Sequence, residues 1–569
     1  MRKLFTLGVL CAVPALLMAK PAKPELVTLT QPDGTQISVR LEGDEHGHLV
    51  FDANGRLLTK DARGFYVDAG ASESDVKAKR AEMMQHRAKR IGGGVATRAT
   101  ADGSNYGLFS QPKPIPSTGS PKCVVILVEY PNQKFTINNP QDFFYRMLNQ
   151  DGFDEYGAMG SAAQYYSRNS LEAFTPQFDV YGPVMLPNEY GYYGGNDMVY
   201  GQDMHPEEMA IHACQQLDDD VDFSQYDYNN DGQIDFVYIF YAGYGEADGA
   251  DSDRVWPHSW SLDEAGSRRR YTFDNVRLNK YACSNELQFE DDTPDGMGSF
   301  VHEFSHVLGL ADHYSSLGYT YDTPSYMDVM DVGCYNNNSH TPPNYSSFEL
   351  YALGWLEPEL MTESGRYELK NLHDSRKAWM VKSKQNPNER FFIENRQQTG
   401  NDTYLRGHGM LVWHIEFNQD VWNANDVNNN PFRRGVDLVP ADGVYAFTTL
   451  DGDPFPGTSG NTSFTPKTSP AFLTWDLQPL GLSITEISES DDGIISFYVE
   501  SSISSVNAVE ADCLDVTVNG NAVSVASGNA AVFDTLGRHI ANVGTNPTTL
   551  PAGIYIVYRD GLKSKIIVR

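Results

Sequence analysis

Over residues 25–70, short runs of alternating apolar and polar positions are separated by turn signals. Leu26-Val27-Thr28-Leu29-Thr30 is followed by Pro32-Asp33-Gly34, then by Ile37-Ser38-Val39-Arg40-Leu41, Leu49-Val50-Phe51, Asn54-Gly55 and Phe65-Tyr66-Val67. This pattern predicts small β hairpins. Cys123 to Tyr130 is a continuous apolar run, the kind that forms a strand buried on both faces. Residues 205–218 read as a helix that opens on Pro206-Glu207-Glu208 and ends at Leu217. A second helix starts after the polar Asp295-Gly296-Met297-Gly298-Ser299, continues through Phe300-Val301 to Val307-Leu308, and stops at Gly309, which tolerates positive φ. From Met361 to Glu500 the pattern changes to short strands and polar turns, among them Met410 to Ile415 and Ile494 to Val499, as in a β-sandwich-like domain. The last stretch, with Ala531-Val532-Phe533, Leu550 to Tyr558 and Lys563 to Arg569, predicts a small all-β module.

A chain of 569 residues is too long for one core, so several domains are expected. Arg2-Lys3, a nearly all-apolar Leu4 to Met18 and then Ala19 form a signal peptide over residues 1–19, too short for a membrane span. Residues 20–105 read as a propeptide. Its second half is rich in Lys77, Lys79, Arg80, Arg87, Lys89, Arg90 and Arg98, and Gly92-Gly93-Gly94 makes that stretch a place to be nicked. The remaining boundaries put a catalytic domain at 106–360, a β-rich domain at 361–500 and the terminal module at 505–569. Beyond Cys11 in the signal segment there are five cysteines, an odd number too sparse for a disulfide framework; one bridge, such as Cys283–Cys334, is conceivable. The net charge of −32 argues against nucleic-acid partners, which need a basic surface, and suits a protein that carries calcium.

The chemistry is concentrated at His302-Glu303-Phe304-Ser305-His306. Two histidines four apart on a helix share a face, so both can reach one metal ion. Glu303, one residue on from His302, is badly placed to ligate but well placed to act as general base on water. After the Gly309 turn the chain reaches Asp312, in register for a third ligand, with His313 as its rival one residue out of step. In the extended zinc pattern this third position is His, so an Asp here changes the ligand field without removing the site. Ser325 to Gly333 resembles the Met-turn that floors metzincin sites, with Met330 as its methionine. Tyr335 and Tyr314 are both candidates for stabilising a tetrahedral oxyanion.

His302 to Tyr314, the Met330 segment and Phe348-Glu349-Leu350-Tyr351-Ala352-Leu353-Gly354-Trp355-Leu356 resemble the immune-inhibitor-A family of secreted bacterial zinc metallopeptidases. The resemblance runs from about residue 105 to 500. It implies an α+β fold with a metzincin-like catalytic domain, bound calcium, and cleavage of proteins outside the cell. The last 65 residues resemble the C-terminal sorting domain of the type IX secretion system, which implies partnership with that machinery and release or attachment at the outer membrane.

Asp227-Tyr228-Asn229-Asn230-Asp231-Gly232-Gln233-Ile234-Asp235 reads as a calcium loop, with oxygen side chains from Asp227, Asn229, Asp231, Gln233 and Asp235. Tyr238 stands where an EF-hand has its bidentate Glu, so the loop feeds a strand instead. Asp222, Glu246, Asp248, Asp251 and Asp253 are further acids within reach of such an ion. In Asp44-Glu45-His46-Gly47-His48 a plain polar turn is expected, with capping of the zinc by Asp44, Glu45, His46 and His48 as the alternative. His408 and His414 are read as structural, as are Glu394-Asn395-Arg396. The sequence therefore points to a secreted zinc endopeptidase made as a zymogen and stabilised by Ca²⁺. The rival from another class is an inactive surface adhesin or binding protein that kept the peptidase scaffold.

Overall fold

The computed structural model describes residues 18–91, 106–110, 113–197, 201–267, 269–289, 292–317, 324–502, 516–519, 521–534, 538–559 and 562–568. The core of the signal segment, the glycine run at 92–94, Arg98 and Cys513 lie outside these residues. The chain divides into two compact units, Met1–Glu500 and Ser501–Arg569.

Six strands build the sheet that carries the site: β1 (Met18–Ala19), β2 (Lys122–Glu129), β3 (Gln177–Met185), β4 (Val237–Tyr244), β5 (His258–Ser261) and β6 (Lys280–Leu287). Their spatial order is β1-β5-β6-β4-β2-β3. The four strands from β6 to β3 run parallel to their neighbours, whereas β5 and β1 are antiparallel at the edge. β2 shows why an unbroken apolar run was needed. Val125 and Leu127 enter one core and Val124, Ile126 and Val128 enter another on the opposite face.

Five helices of eight or more residues accompany these strands: α1 (Glu73–Ile91), α2 (Pro140–Asn149), α3 (Ala162–Ser170), α4 (Glu207–Leu217) and α5 (Gly298–Val307). The shorter α6 (Ser347–Leu353) follows. α3 and α6 begin with capping boxes, Ser161 with Gln164 and Ser346 with Glu349, which satisfy otherwise orphaned N–H groups. α5 packs so closely on the chain after it that a Cβ on Gly298 would sit 1.9 Å from the Cys334 carbonyl oxygen.

Residues 27–68 form a five-stranded antiparallel meander, as the alternating pattern predicted. Val27, Leu29, Val39, Leu41 and Val50 pack on Ala247 and Trp256, so this meander is seated against the part that carries the six-stranded sheet. Beyond α6, strands 359–360, 379–382, 389–396, 409–416 and 436–438 form a second sheet, and strands 365–369, 482–489 and 495–501 a third. The expected boundary at 360/361 falls within a common core. Tyr106, Phe109, Ala311, Met327 and Phe348 share it with Met380, Phe392, Leu411 and Trp413.

Cys283 and Cys334 are separate buried thiols, so the conceivable bridge between them is absent. His414 is a satisfied core histidine, with Nε2 2.7 Å from Glu389 Oε1 and its ring stacked on Phe391 and Trp475. Arg396 is fully buried, bound to Asp402 and to the Asn344 carbonyl, which is a structural role. In the second unit, strands 516–519, 522–525 and 548–549 form one sheet. Strands 530–534, 539–543, 553–559 and 562–568 form another.

Candidate metal centre and cleft

α5 delivers His302 and His306 from one face, as i and i+4 positions must. Gly309, at φ +100°, turns the chain back and brings Asp312 to them. Asp312 Oδ1 lies 3.1 Å from His302 Nε2 and 3.3 Å from His306 Nε2, and all three residues are buried. The opposite ring nitrogens face backbone carbonyls: His302 Nδ1 is 2.8 Å from Val329 O, and His306 Nδ1 is 2.9 Å from Leu310 O. Each Nδ1–H therefore donates to the main chain, which leaves both Nε2 lone pairs directed at the carboxylate.

Three acceptors facing one another in a buried space are costly unless something positive joins them. Asp312 Oδ1 and His306 Nε2 have no hydrogen-bond partner. Burial works against the charge on Asp312, yet the imidazoles of His306 and His302 hold its carboxyl far below the usual range. For His302, burial works against protonation, but Asp312 carries its pKa up to about 9. Two His nitrogens and one carboxylate oxygen are the donors a catalytic zinc takes, so the residues present fit that ion.

His313 turns elsewhere. Its Nδ1 is 2.7 Å from Asp328 Oδ2, and among the described residues it groups with Asp328 and Glu349 rather than with the two α5 histidines. Asp328 Oδ1 accepts from Met330 N at 2.7 Å, and His313 N donates to Met330 O at 2.8 Å. Met330 is thus the pivot of a tight buried turn whose preceding carbonyl, Val329 O, orients His302.

Glu303 is fully buried, and neither carboxylate oxygen has a full hydrogen bond. Burial pushes its carboxyl well above the ordinary range, with His302 acting against that rise and Asp312 and Glu45 adding to it. A cation at the nearby histidines acts in the opposite direction, favouring the ionised base.

The cleft beside Glu303 is filled by the chain's own Met18–Lys23 segment, which sequence reasoning did not foresee. β1 pairs antiparallel to β5, with Met18 opposite Ser259 and Ala19 opposite His258. Trp256 Nε1 donates to Lys20 O at 2.9 Å, and the Tyr335 hydroxyl donates to Pro21 O at 2.7 Å. Lys23 N donates to Ala247 O at 2.9 Å. The Lys20 backbone N–H faces the Glu303 carboxyl, near enough to favour its ionised form. Tyr335 therefore reaches a peptide carbonyl in the cleft, whereas Tyr314 stacks against His302. The Asp44–His48 segment is a turn, as expected, but a buried one: His46 is 2% exposed, and Glu45 comes close enough to raise Glu303.

The Asp227–Asp235 loop sits on the surface below β4. Its oxygens face its own backbone: Asp227 accepts from Asp231 N and Gly232 N, Asn229 from Asp231 N, and Asp231 from Gln233 N, each at 2.9 Å. Asp235 accepts from Tyr228 N at 2.8 Å, and burial, with Asp227 and Asp231 nearby, pushes its carboxyl up to about 7. Of the other acids considered for calcium, Asp222 caps a short helical turn through Ser224 N. Asp248 is engaged by Lys20.

Residues 118–360 match the family model of the immune inhibitor A peptidase M6 catalytic domain. The stretch holds all of α5, Asp312 and the Met330 turn, and the match supports a metallopeptidase that acts on proteins. No curated protein matches the chain. Among the described residues no helix is long and apolar enough to cross a membrane.

Proposed function

We propose that the chain is a secreted zinc endopeptidase made as a zymogen, with a metzincin-like site. The observation that carries this is the meeting of His302, His306 and Asp312 beside Glu303, in a cleft already occupied by a peptide segment. His302, His306 and Asp312 are the residues that would hold zinc, which supplies carbonyl polarisation and a water acidic enough to react near neutral pH. Glu303 takes that water's proton and hands it to the leaving amine. Tyr335 holds the bound peptide through a backbone carbonyl on the leaving-group side, as it now holds Pro21 O. β5 becomes an edge strand once residues 18–19 leave, and it then aligns substrate as it aligns β1 now.

The zymogen reading rests on residues 20–23, which stay after the leader is removed and lie where substrate must lie, and on the meander 27–68 that follows them and packs on Ala247 and Trp256. The processed protein recovered from secreting cells should contain one equivalent of zinc and hydrolyse casein. A chelator should abolish that activity and added zinc restore it. Metal-free protein with unchanged hydrolysis would refute the reading, and metal-loaded protein without hydrolysis would favour the adhesin. Mass spectrometry of the active species is expected to show loss of roughly residues 1–100 and of a sorting module after about 500. An active enzyme still beginning at Lys20 excludes the propeptide, and one exported with Arg569 intact excludes removal of the module.

The loop at Asp227–Asp235 is assigned to structural Ca²⁺. Its three carboxylates lie close enough for Asp227 and Asp231 to raise Asp235, and a divalent ion relieves that repulsion. Because binding to the native state alone raises stability, calcium should shift the melting temperature of the wild type upward, and that of Asp231→Ala much less. Equal shifts in both proteins would move the ion elsewhere.

A further inference from the structure

The side chain of Lys20 is fully buried beside the catalytic centre. Its ammonium lies 3.0 Å from Asp248 Oδ1, 3.9 Å from Asp295 Oδ2 and 4.0 Å from the centre of the Tyr335 ring. Both carboxylates are held by partners other than the lysine. Asp248 Oδ2 accepts from Asn285 Nδ2 at 3.0 Å. Asp295 accepts from Ser299 Oγ at 2.9 Å and from Gln288, and its backbone N–H donates to Glu286 O. The pocket is thus built by β6, the start of α5 and the 246–248 turn, and it stays built when Lys20 leaves.

The position of Lys20 along the cleft identifies the subsite. Its side chain packs between Tyr335 and Asp295, which is bound to Ser299 in the first turn of the helix that carries Glu303, and its backbone N–H lies against the Glu303 carboxyl. In the proposed reaction Glu303 protonates the leaving amine, and that nitrogen belongs to the residue on the carboxyl side of the cut bond. Lys20 therefore stands where the residue after the scissile bond stands, and its side chain fills the pocket for that residue. Two buried carboxylates and an aromatic face accept a cationic side chain and penalise the rest, because an apolar residue would leave the acids buried without counter-charge.

We propose that this peptidase selects a basic residue, Lys or Arg, immediately after the bond it cuts, through a pocket floored by Asp248 and Asp295. The proposal rests on the peptidase reading above, and the test separates the two. Quenched peptides that differ only in the residue after the cleaved bond (Lys, Arg, Leu or Glu) are given to the zinc-loaded enzyme recovered in active form, with cut positions read by mass spectrometry. Cleavage before Lys and Arg is expected to exceed cleavage before Leu at least tenfold. Asp248→Asn and Asp295→Asn should each lower that ratio at least tenfold. If a variant fails to fold, the wild-type cleavage map still decides. Hydrolysis without basic preference, or an unchanged ratio in both folded variants, overturns the proposal alone and leaves the pocket a mere anchor for residue 20. No hydrolysis of any peptide overturns the peptidase reading and the proposal with it.

Discussion

Glu303→Gln is expected to bind zinc normally and to have no measurable peptidase activity. The side chain is wholly buried, its oxygens are committed to no full hydrogen bond, and it lies outside the His302–His306–Asp312 group. The amide keeps the shape and removes the base, so packing and metal affinity have no reason to change. Loss of a general base alone costs ~10²–10⁴ in rate, and more where the same group also delivers the proton to the leaving amine. Zinc content and casein hydrolysis measured on the same purified variant decide the matter. Turnover near that of the wild type would remove Glu303 from the mechanism.

Asp312→Ala should lose the metal itself. The substitution takes away one of three protein ligands and leaves His302 and His306 facing a void. Outer-shell partners of a metal site are each worth ~10–100-fold in affinity, so a first ligand should exceed that. Dialysed Asp312→Ala protein is expected to retain almost no zinc and to be inactive. His313→Ala, whose imidazole is turned to Asp328, should keep its zinc equivalent. Zinc retained in the first variant and lost in the second would exchange the two roles.

The local part of this site is legible in the sequence because local geometry makes it. Helical periodicity places His302 and His306 on one face, and a glycine turn fixes how far the chain travels before Asp312. The same holds for the strand at Cys123–Tyr130, the meander and α4, whose patterns are set by burial over a few residues. The contacts that complete the cleft are a different matter. Tyr335 meets Pro21 across 314 positions and Lys20 meets Asp248 across 228, and nothing in either neighbourhood announces the other. Lys20 reads as a polar residue after an apolar leader, and Asp248 as one acid in a group suited to calcium. Their pairing is a product of tertiary packing. The burial of the Asp44–His48 turn is hidden for the same reason: its residues are polar, but the meander presses them into the cleft.

Asp312 depends on a residue far beyond it. Asn425 accepts a hydrogen bond from Asp312 N at 2.8 Å through Oδ1 and donates through Nδ2 to Asp312 Oδ2. Asn425 lies outside the 118–360 segment that matches the peptidase family. During synthesis the ribosome therefore delivers both histidines and the carboxylate well before the group that orients the carboxylate. A nascent chain that ends between Asp312 and Asn425 carries His302, His306 and Asp312 and still lacks the group that orients the carboxylate. A fragment cut at the end of the matched segment would share that defect, and would also expose Phe348 and Met327, whose covering strands begin after residue 378.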